Sequence, residues 1–374
     1  MSKILLSQKR LITLLVLSLS MGSLLWSGSA PQTGSDAERV ITDMRGREVG
    51  IPDDIGSIIA LNAGSLRLLS YFDAVDKVIA VEDSGHGREI SIHEFFYLAS
   101  YRIAHQQLQD LPSIGSSENH EAIIARDPDI VFSSHVDISQ LNQLQDVLDI
   151  PVVAIDADVE LDDPERFIEQ LRLVGSVLHE NQRVEELASG IQDILADIDE
   201  RKEQRADAKK AYAGGMMYYG PADLLRTTGD YLPFELTGTE NVMPTNPSGN
   251  RQPYMTSIEH LIEADPQYVF IDAANNQLSK RGFLEHKNVF AEHVTAFRNK
   301  DVYNTLVYKY YGTNWENQLA NIYYAGKVMY PEVYRDVEII QKTEKIWELF
   351  FQVSLDYQTV IELQGPGFGQ ADWF

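Results

Sequence analysis

The chain contains no cysteine, so disulfides, thiolate metal sites, cysteine nucleophiles and a lipid-modified export cysteine are all excluded. Beyond the N-terminus it has no apolar run near the roughly 20 residues a bilayer span needs. Basic residues are scarce: 31 Lys and Arg stand against 56 Asp and Glu, a formal charge of −25. So acidic a surface repels nucleic acid and anionic lipid and favours solubility, which makes arginines clustered in loops local exceptions. Catalytic signatures are missing too: there is no G-x-S-x-G elbow, phosphate-binding glycine loop or metalloprotease histidine pair. The nine histidines include no H-x-x-x-H pair, which argues against a bare zinc or manganese site. A binding role without bond chemistry is the expectation, with no cofactor and no metal ligated by a dedicated cluster.

At 374 residues with 44% hydrophobic content, the chain is long enough for two domains with full cores. Its first 30 residues stand apart. Lys3, Lys9 and Arg10 precede an apolar run from Leu11 to Leu25 and then small residues, the layout of a secretory signal peptide cut between Ser27 and Ala30. An uncleaved anchor is the alternative. Removing residues 1–30, which hold three basic residues and no acid, takes the formal charge from −25 to −28. A soluble, monomeric, periplasmic protein is expected.

Strand and helix patterns alternate along the remainder, the rhythm of mostly parallel sheets flanked by helices. VITDMRGREV at Val40–Val49 reads as two short strands joined by an Arg-Gly turn. A strand over Ser57–Leu61 leads into a helix that Ser65 is placed to cap. From Asp163 to about Ala208 apolar residues recur at helical spacing, with Gly175 as the expected break and one long helix after it. That segment suits a structural bridge; a coiled-coil face is the rival use. The rhythm then restarts, and Gly365–Phe374 reads as loose coil. The expected divisions are a signal peptide (1–30), an N-terminal lobe (31–162), a helical bridge (163–208), a C-terminal lobe (209–335) and a final helix and tail (336–374).

One phrase occurs twice. NHEAIIARDPDIVF at Asn119–Phe132 returns as SIEHLIEADPQYVF at Ser257–Phe270, with six of fourteen positions identical. Each copy reads as a short helix stopped by Asp-Pro and followed by an apolar strand, a common α/β phrase that here suggests two similar lobes. Glu121 and Glu259 occupy matching places in the two copies.

The order of these features resembles the substrate-binding proteins of ABC importers for vitamin B12, heme and ferric siderophores. The resemblance rests on ITDMRGREVGIP, IIALNAGSLRLL, the two repeat units and YKYYGTNWENQLANIYYAGKVMYPE, the last similar to an iron or metal-chelate branch; it runs from about Val40 to Val353. It implies two Rossmann-like α/β lobes joined by a long rigid bridging helix, with the ligand cleft between them. It also implies that Glu121 and Glu259 dock onto arginines of an inner-membrane permease; the plain alternative is two solvated carboxylates at helix starts. The cleft should lie where loops leave the carboxyl ends of strands. Those loops carry Asn62, Ser65, His86, Tyr101 and Arg102, then Ser133 to His135. Further along they carry Tyr219, Arg226, Tyr308, Tyr310, Tyr311, Asn314 and Trp315. Arg67, one turn into its helix, is either a ligand clamp or a salt-bridge partner. Aromatic faces and forked guanidinium donors suit a bulky anionic metal chelate. His86 and His93 offer an axial ligand to heme or ferric iron, or are ordinary surface histidines. The expected function is capture of a ferric siderophore or heme and its delivery to the permease. Cobalamin or another metal chelate, a chelate-processing enzyme and a pure interaction protein remain as alternatives.

Overall fold

The computed structural model describes residues 39–82, 97–156, 159, 161, 163–217, 220–249 and 251–374. The expected signal segment and the site candidates His86, His93 and Tyr219 lie outside the described residues. The chain enters through a hairpin, β1 (Arg39–Thr42) against β2 (Glu48–Ile51), closed by a turn in which Gly46 takes φ 75°.

Next come β3 (Ile58–Leu61), α1 (Ser65–Ser70), β4 (Val78–Val81), α2 (Ser100–Ala104) and α3 (His120–Ile124). This half closes with β5 (Ile130–Ser133), α4 (Ile138–Leu148) and β6 (Val152–Ala154). The four strands pair in parallel in the order β4-β3-β5-β6. Every residue of β3 and β5 is buried, as a parallel sheet covered on both faces requires. Ser65 does not cap α1. The turn out of β3 needs positive φ at Asn62 (66°) and Gly64 (85°), so Gly64 takes the cap position. Ser65 is instead the first helical residue, and its hydroxyl donates to the Leu61 carbonyl at 2.5 Å.

Two helices cross between the halves: α5 (Pro164–Leu178) and α6 (Asn181–Gln204). The 24 residues of α6 span roughly 36 Å. The break falls at His179 (φ 60°), not at the expected Gly175. Gly175 sits inside α5 because the helices meet there: a Cβ on it would lie 2.2 Å from Val184 Cγ2.

The second half supplies β7 (Lys210–Gly214), β8 (Arg226–Thr227), α7 (Leu232–Thr237), β9 (Glu240–Asn241) and β10 (Tyr254–Met255). It continues through α8 (Ile258–Ala264), β11 (Tyr268–Asp272), α9 (Asn276–Glu285), α10 (Lys287–His293), α11 (Thr295–Asn299) and β12 (Val302–Thr305). Parallel β7-β11-β12 form the centre of a seven-stranded sheet.

After β12 the chain returns through α12 (Trp315–Met329), α13 (Ile339–Phe351) and α14 (Tyr357–Gln364), so the tail holds two helices rather than the one expected. Nor are its last residues loose coil. Gly369–Gln370 forms β13, antiparallel to β12, and Trp373 packs against Phe283 with ring centres 5.6 Å apart. The tail covers the edge of the sheet and plugs an aromatic cluster of Phe283, Phe290 and Phe297.

One core cluster runs through both halves. It joins Ile58, Phe132 and Val153 of the first sheet to Ala213 and Phe270 of the second, and to Leu306 just after β12, by way of the bridging helices, α12 and α13. Trp373→Ala should therefore cost ~3–5 kcal/mol, the usual price of emptying an aromatic core position. Urea unfolding is the check, and an unchanged midpoint would contradict the packing role of the tail.

Candidate functional site

The carboxyl ends of both sheets face one another across a seam. From the first sheet come Asn62 after β3, Glu82 after β4 and Ser133 to His135 at the end of β5. From the second comes the loop 308–314 after β12. Tyr311 donates its hydroxyl to Glu82 Oε2 at 2.8 Å, and the Asn62 amide donates to the same oxygen at 2.5 Å. Tyr311 (φ 46°) and Asn62 (φ 66°) both hold left-handed backbone, and the Ser133 hydroxyl donates to Asn62 Oδ1 at 2.9 Å. The backbones themselves touch: a Cβ on Gly312 would lie 2.9 Å from the Gly64 nitrogen, so only glycine fits there.

Beneath the loop lies a buried hub. The Glu316 carboxylate, fully buried, accepts from Arg67 Nη1 at 3.2 Å, from the Tyr71 hydroxyl at 2.5 Å and from the Ser100 hydroxyl. Arg67 also donates to the Tyr310 carbonyl at 3.2 Å. Burial, and then the Glu316 charge, push the Tyr71 phenol well above its ordinary range, so it remains a donor. Asn314 donates to the carbonyls of Leu98 and Val307, and Trp315 Nε1 to the Val159 carbonyl at 2.8 Å. The structure thus places Ser65, Arg67, Asn314 and Trp315 below any surface a ligand reaches, with Arg67 as a salt-bridge partner.

Tyr101 and Arg102, also buried, join the hub to the seam. Arg67 lies over the Tyr101 ring at 4.9 Å, and Arg102 lies 5.4 Å from that ring and 5.9 Å from the Tyr311 ring. Cations and rings therefore alternate from Arg67 to Tyr311. Tyr310 and Tyr311 are partly exposed, as are Asn62 and Arg226, which donates to the Gly220 carbonyl at 2.9 Å. Tyr308 is buried; its ring packs against Tyr231 with centres 4.9 Å apart.

Asp272, at the end of β11, sets the root of the 308–314 loop. One carboxylate oxygen accepts from the Tyr308 amide at 3.0 Å and the other from the Ala274 amide at 2.8 Å. Burial pushes its carboxyl up to about 7, and these two amides pull against the rise. A cavity of about 20 Å³ opens beside the loop, lined by Met216, Thr228, Asp230, Leu232, Arg251, Pro253, Tyr308 and Lys309. That is room for about one water, and far below the roughly 300 Å³ at which ligand pockets begin.

Among these residues Glu82, Glu316, Asp272, Thr228, Arg251 and Lys309 were not singled out in the sequence. An acid at a strand end or helix start normally meets solvent, and Glu316 finds Arg67 only across 249 residues of chain. Among the described residues no group of three or more histidine or acidic side chains is placed to hold a metal ion.

The two repeat units form matching structures. Asn119 caps α3 by accepting from the Ala122 amide, and Ser257 caps α8 by accepting from the His260 amide, each at 3.3 Å. Each unit turns out of its helix through a left-handed aspartate, Asp127 (φ 51°) or Asp265 (φ 38°), before the proline. Glu121 and Glu259 are both second residues of their helices and both exposed. The Glu259 carboxyl is held below its ordinary range by its own amide and by Ser257.

Residues 73–306 match the family described as periplasmic binding protein. The chain belongs to that family. It is 24% identical over 349 residues to the molybdate-binding protein MolA of Haemophilus influenzae, a match covering 85% of this chain and 92% of that one. Among solved structures, a periplasmic solute binding protein from Veillonella parvula superposes with a TM-score of 0.68 at 17% identity, covering 87% of this chain and 96% of that one. MolA bound to molybdate superposes with a TM-score of 0.66 at 20% identity, covering 85% and 99%. These likenesses match the two-lobed α/β fold with its bridging helix.

The raised Asp272 carboxyl makes stability depend on pH. Its folded value of about 7 lies above the ordinary 3.8, so the folded state holds a proton that the unfolded state releases. This contribution is complete below about pH 4 and is lost as pH rises through 7, with a slope of up to ~1.4 kcal/mol per pH unit. Asp272→Asn should flatten the fall in urea midpoint between about pH 5 and 7. An unchanged slope in the variant would remove Asp272 as its cause.

Proposed function

We propose that the protein is the solute-binding component of an ABC importer, working in the periplasm and handing an iron chelate to an inner-membrane permease. The observation that carries this reading is the seam itself, where tyrosines and guanidinium groups gather at the carboxyl ends of two facing sheets. Tyr310, Tyr311, Asn62, Ser134, His135 and Arg226 are the ligand contacts, because they are the sequence candidates that keep partly exposed side chains. Ser65, Arg67, Tyr101, Arg102, Asn314 and Trp315 act beneath them as supports. Rings cover the apolar body of a chelator, and Arg226 meets its carboxylates or catecholates. Glu121 and Glu259, exposed at matching places, dock the two lobes on the permease. No bond chemistry is required: the ligand favours one arrangement of the 308–314 loop over another.

A second reading is a small oxyanion such as molybdate. One observation favours it: a relative over most of the chain is a molybdate-binding protein. Protein stripped by unfolding and refolded should be titrated separately with hemin, a ferric tris-catecholate and sodium molybdate, following heat and visible absorption. One-to-one binding of a ferric compound with a new charge-transfer or Soret band is the expected result. Binding of molybdate alone would replace the first reading by the second, and silence with all three would overturn both.

A further inference from the structure

Glu82 follows β4 at the carboxyl end of the first sheet and keeps part of its surface open. One of its oxygens takes two donors: the Asn62 amide of its own half and, across the seam, the Tyr311 hydroxyl. A carboxylate only accepts, so whatever sits on it must bring a proton. Burial raises the Glu82 carboxyl above its ordinary value, and hydrogen bonds from Tyr311, Asn62 and Ser117 pull against that rise. Burial, and then the Glu82 charge, push the Tyr311 phenol above its ordinary range, so it stays a donor. The halves do not need this bond to stay together, since the Glu316 hub and the shared core already join them. The contact is also strained. Tyr311 holds φ 46° in a tight turn where Lys309 bridges Thr313 and the Tyr310 amide donates to the Gly312 carbonyl at 3.0 Å. A bulky residue keeps such a backbone only while its surroundings hold it there.

We infer that Glu82 is a recognition residue of the seam: it accepts a hydrogen bond from a hydroxyl or N–H group of the chelate, and the Tyr311 hydroxyl competes for the same place. This rests on the iron-chelate reading and adds to it the chemistry the chelate must carry. Exchange of one donor for another keeps the Glu82 carboxylate satisfied in both states. It also lets the 309–313 turn relax, which moves the Tyr311 ring onto the chelator. A chelate without a donor at that point leaves Glu82 on Tyr311, which blocks the place, or without a partner, which weakens binding. A bare oxyanion such as molybdate offers no proton and meets a like charge.

The test titrates the full chain with the ferric tris complexes of hydroxytyrosol and of propylcatechol, following heat and charge-transfer absorption. The two complexes are equal in charge and nearly equal in shape, and only the first carries terminal hydroxyl donors. The unaltered protein should prefer the hydroxytyrosol complex by about tenfold or more. Glu82→Ala should abolish the preference. Glu82→Gln, which keeps an accepting oxygen in the same place, should restore most of it, so a loss caused by misfolding is told apart. Tyr311→Phe keeps the ring and removes the competing hydroxyl; it should bind the hydroxytyrosol complex several-fold more tightly with the preference intact. Equal binding of the two complexes to the unaltered protein, or a preference that survives Glu82→Ala, would overturn the inference and leave the iron-chelate reading standing. No binding of either complex to the unaltered protein or to Tyr311→Phe would overturn that reading and the inference with it.

Discussion

A single buried carboxylate fixes how the two halves of this molecule meet. Glu316 lies at the start of α12 with no exposed surface, and its charge is met by Arg67, Tyr71 and Ser100, the first residue of α2, all from the first half. Such a pair is not an efficient source of stability, because removing two charges from water costs about as much as their attraction returns. What it does confer is a unique arrangement. Only one seating of α12 against α1 brings all four groups together, and any other leaves a charge buried without its partner.

That seating has consequences for the seam above it. Arg67 reaches past Glu316 to the Tyr310 carbonyl, Asn314 ties the end of the loop to Leu98 and Val307, and Asp272 holds its start through the Tyr308 amide. The loop is fixed at both ends while Tyr310 and Tyr311 at its crest stay partly open. One core is shared by both halves, which limits their relative motion to small rotations about the bridging helices.

Much of this architecture was legible locally. The hairpin at the start, the alternating rhythm, the two repeat units and the helical bridge all follow from patterns a few residues long. The failures share one cause, which is distance along the chain. Ser65 looks like a cap until the turn out of β3 is seen to demand Gly64 in the left-handed region. Gly175 looks like a break until Val184 of the next helix lies against it. The last ten residues look loose because their partners, β12 and Phe283, lie far upstream. Among the candidate residues depth was not legible: Trp315 and Arg67 carry the residue types expected of a ligand cleft and are fully buried, sealed by groups from the other half.

The central claim is that the two sheets form one cooperative body through the Glu316 hub. It is tested most directly by urea unfolding followed at two places at once, one fluorophore on α4 of the first half and one on α10 of the second. Coincident transitions that separate in Glu316→Gln are the predicted result. Two separate transitions in the unaltered protein would contradict the account.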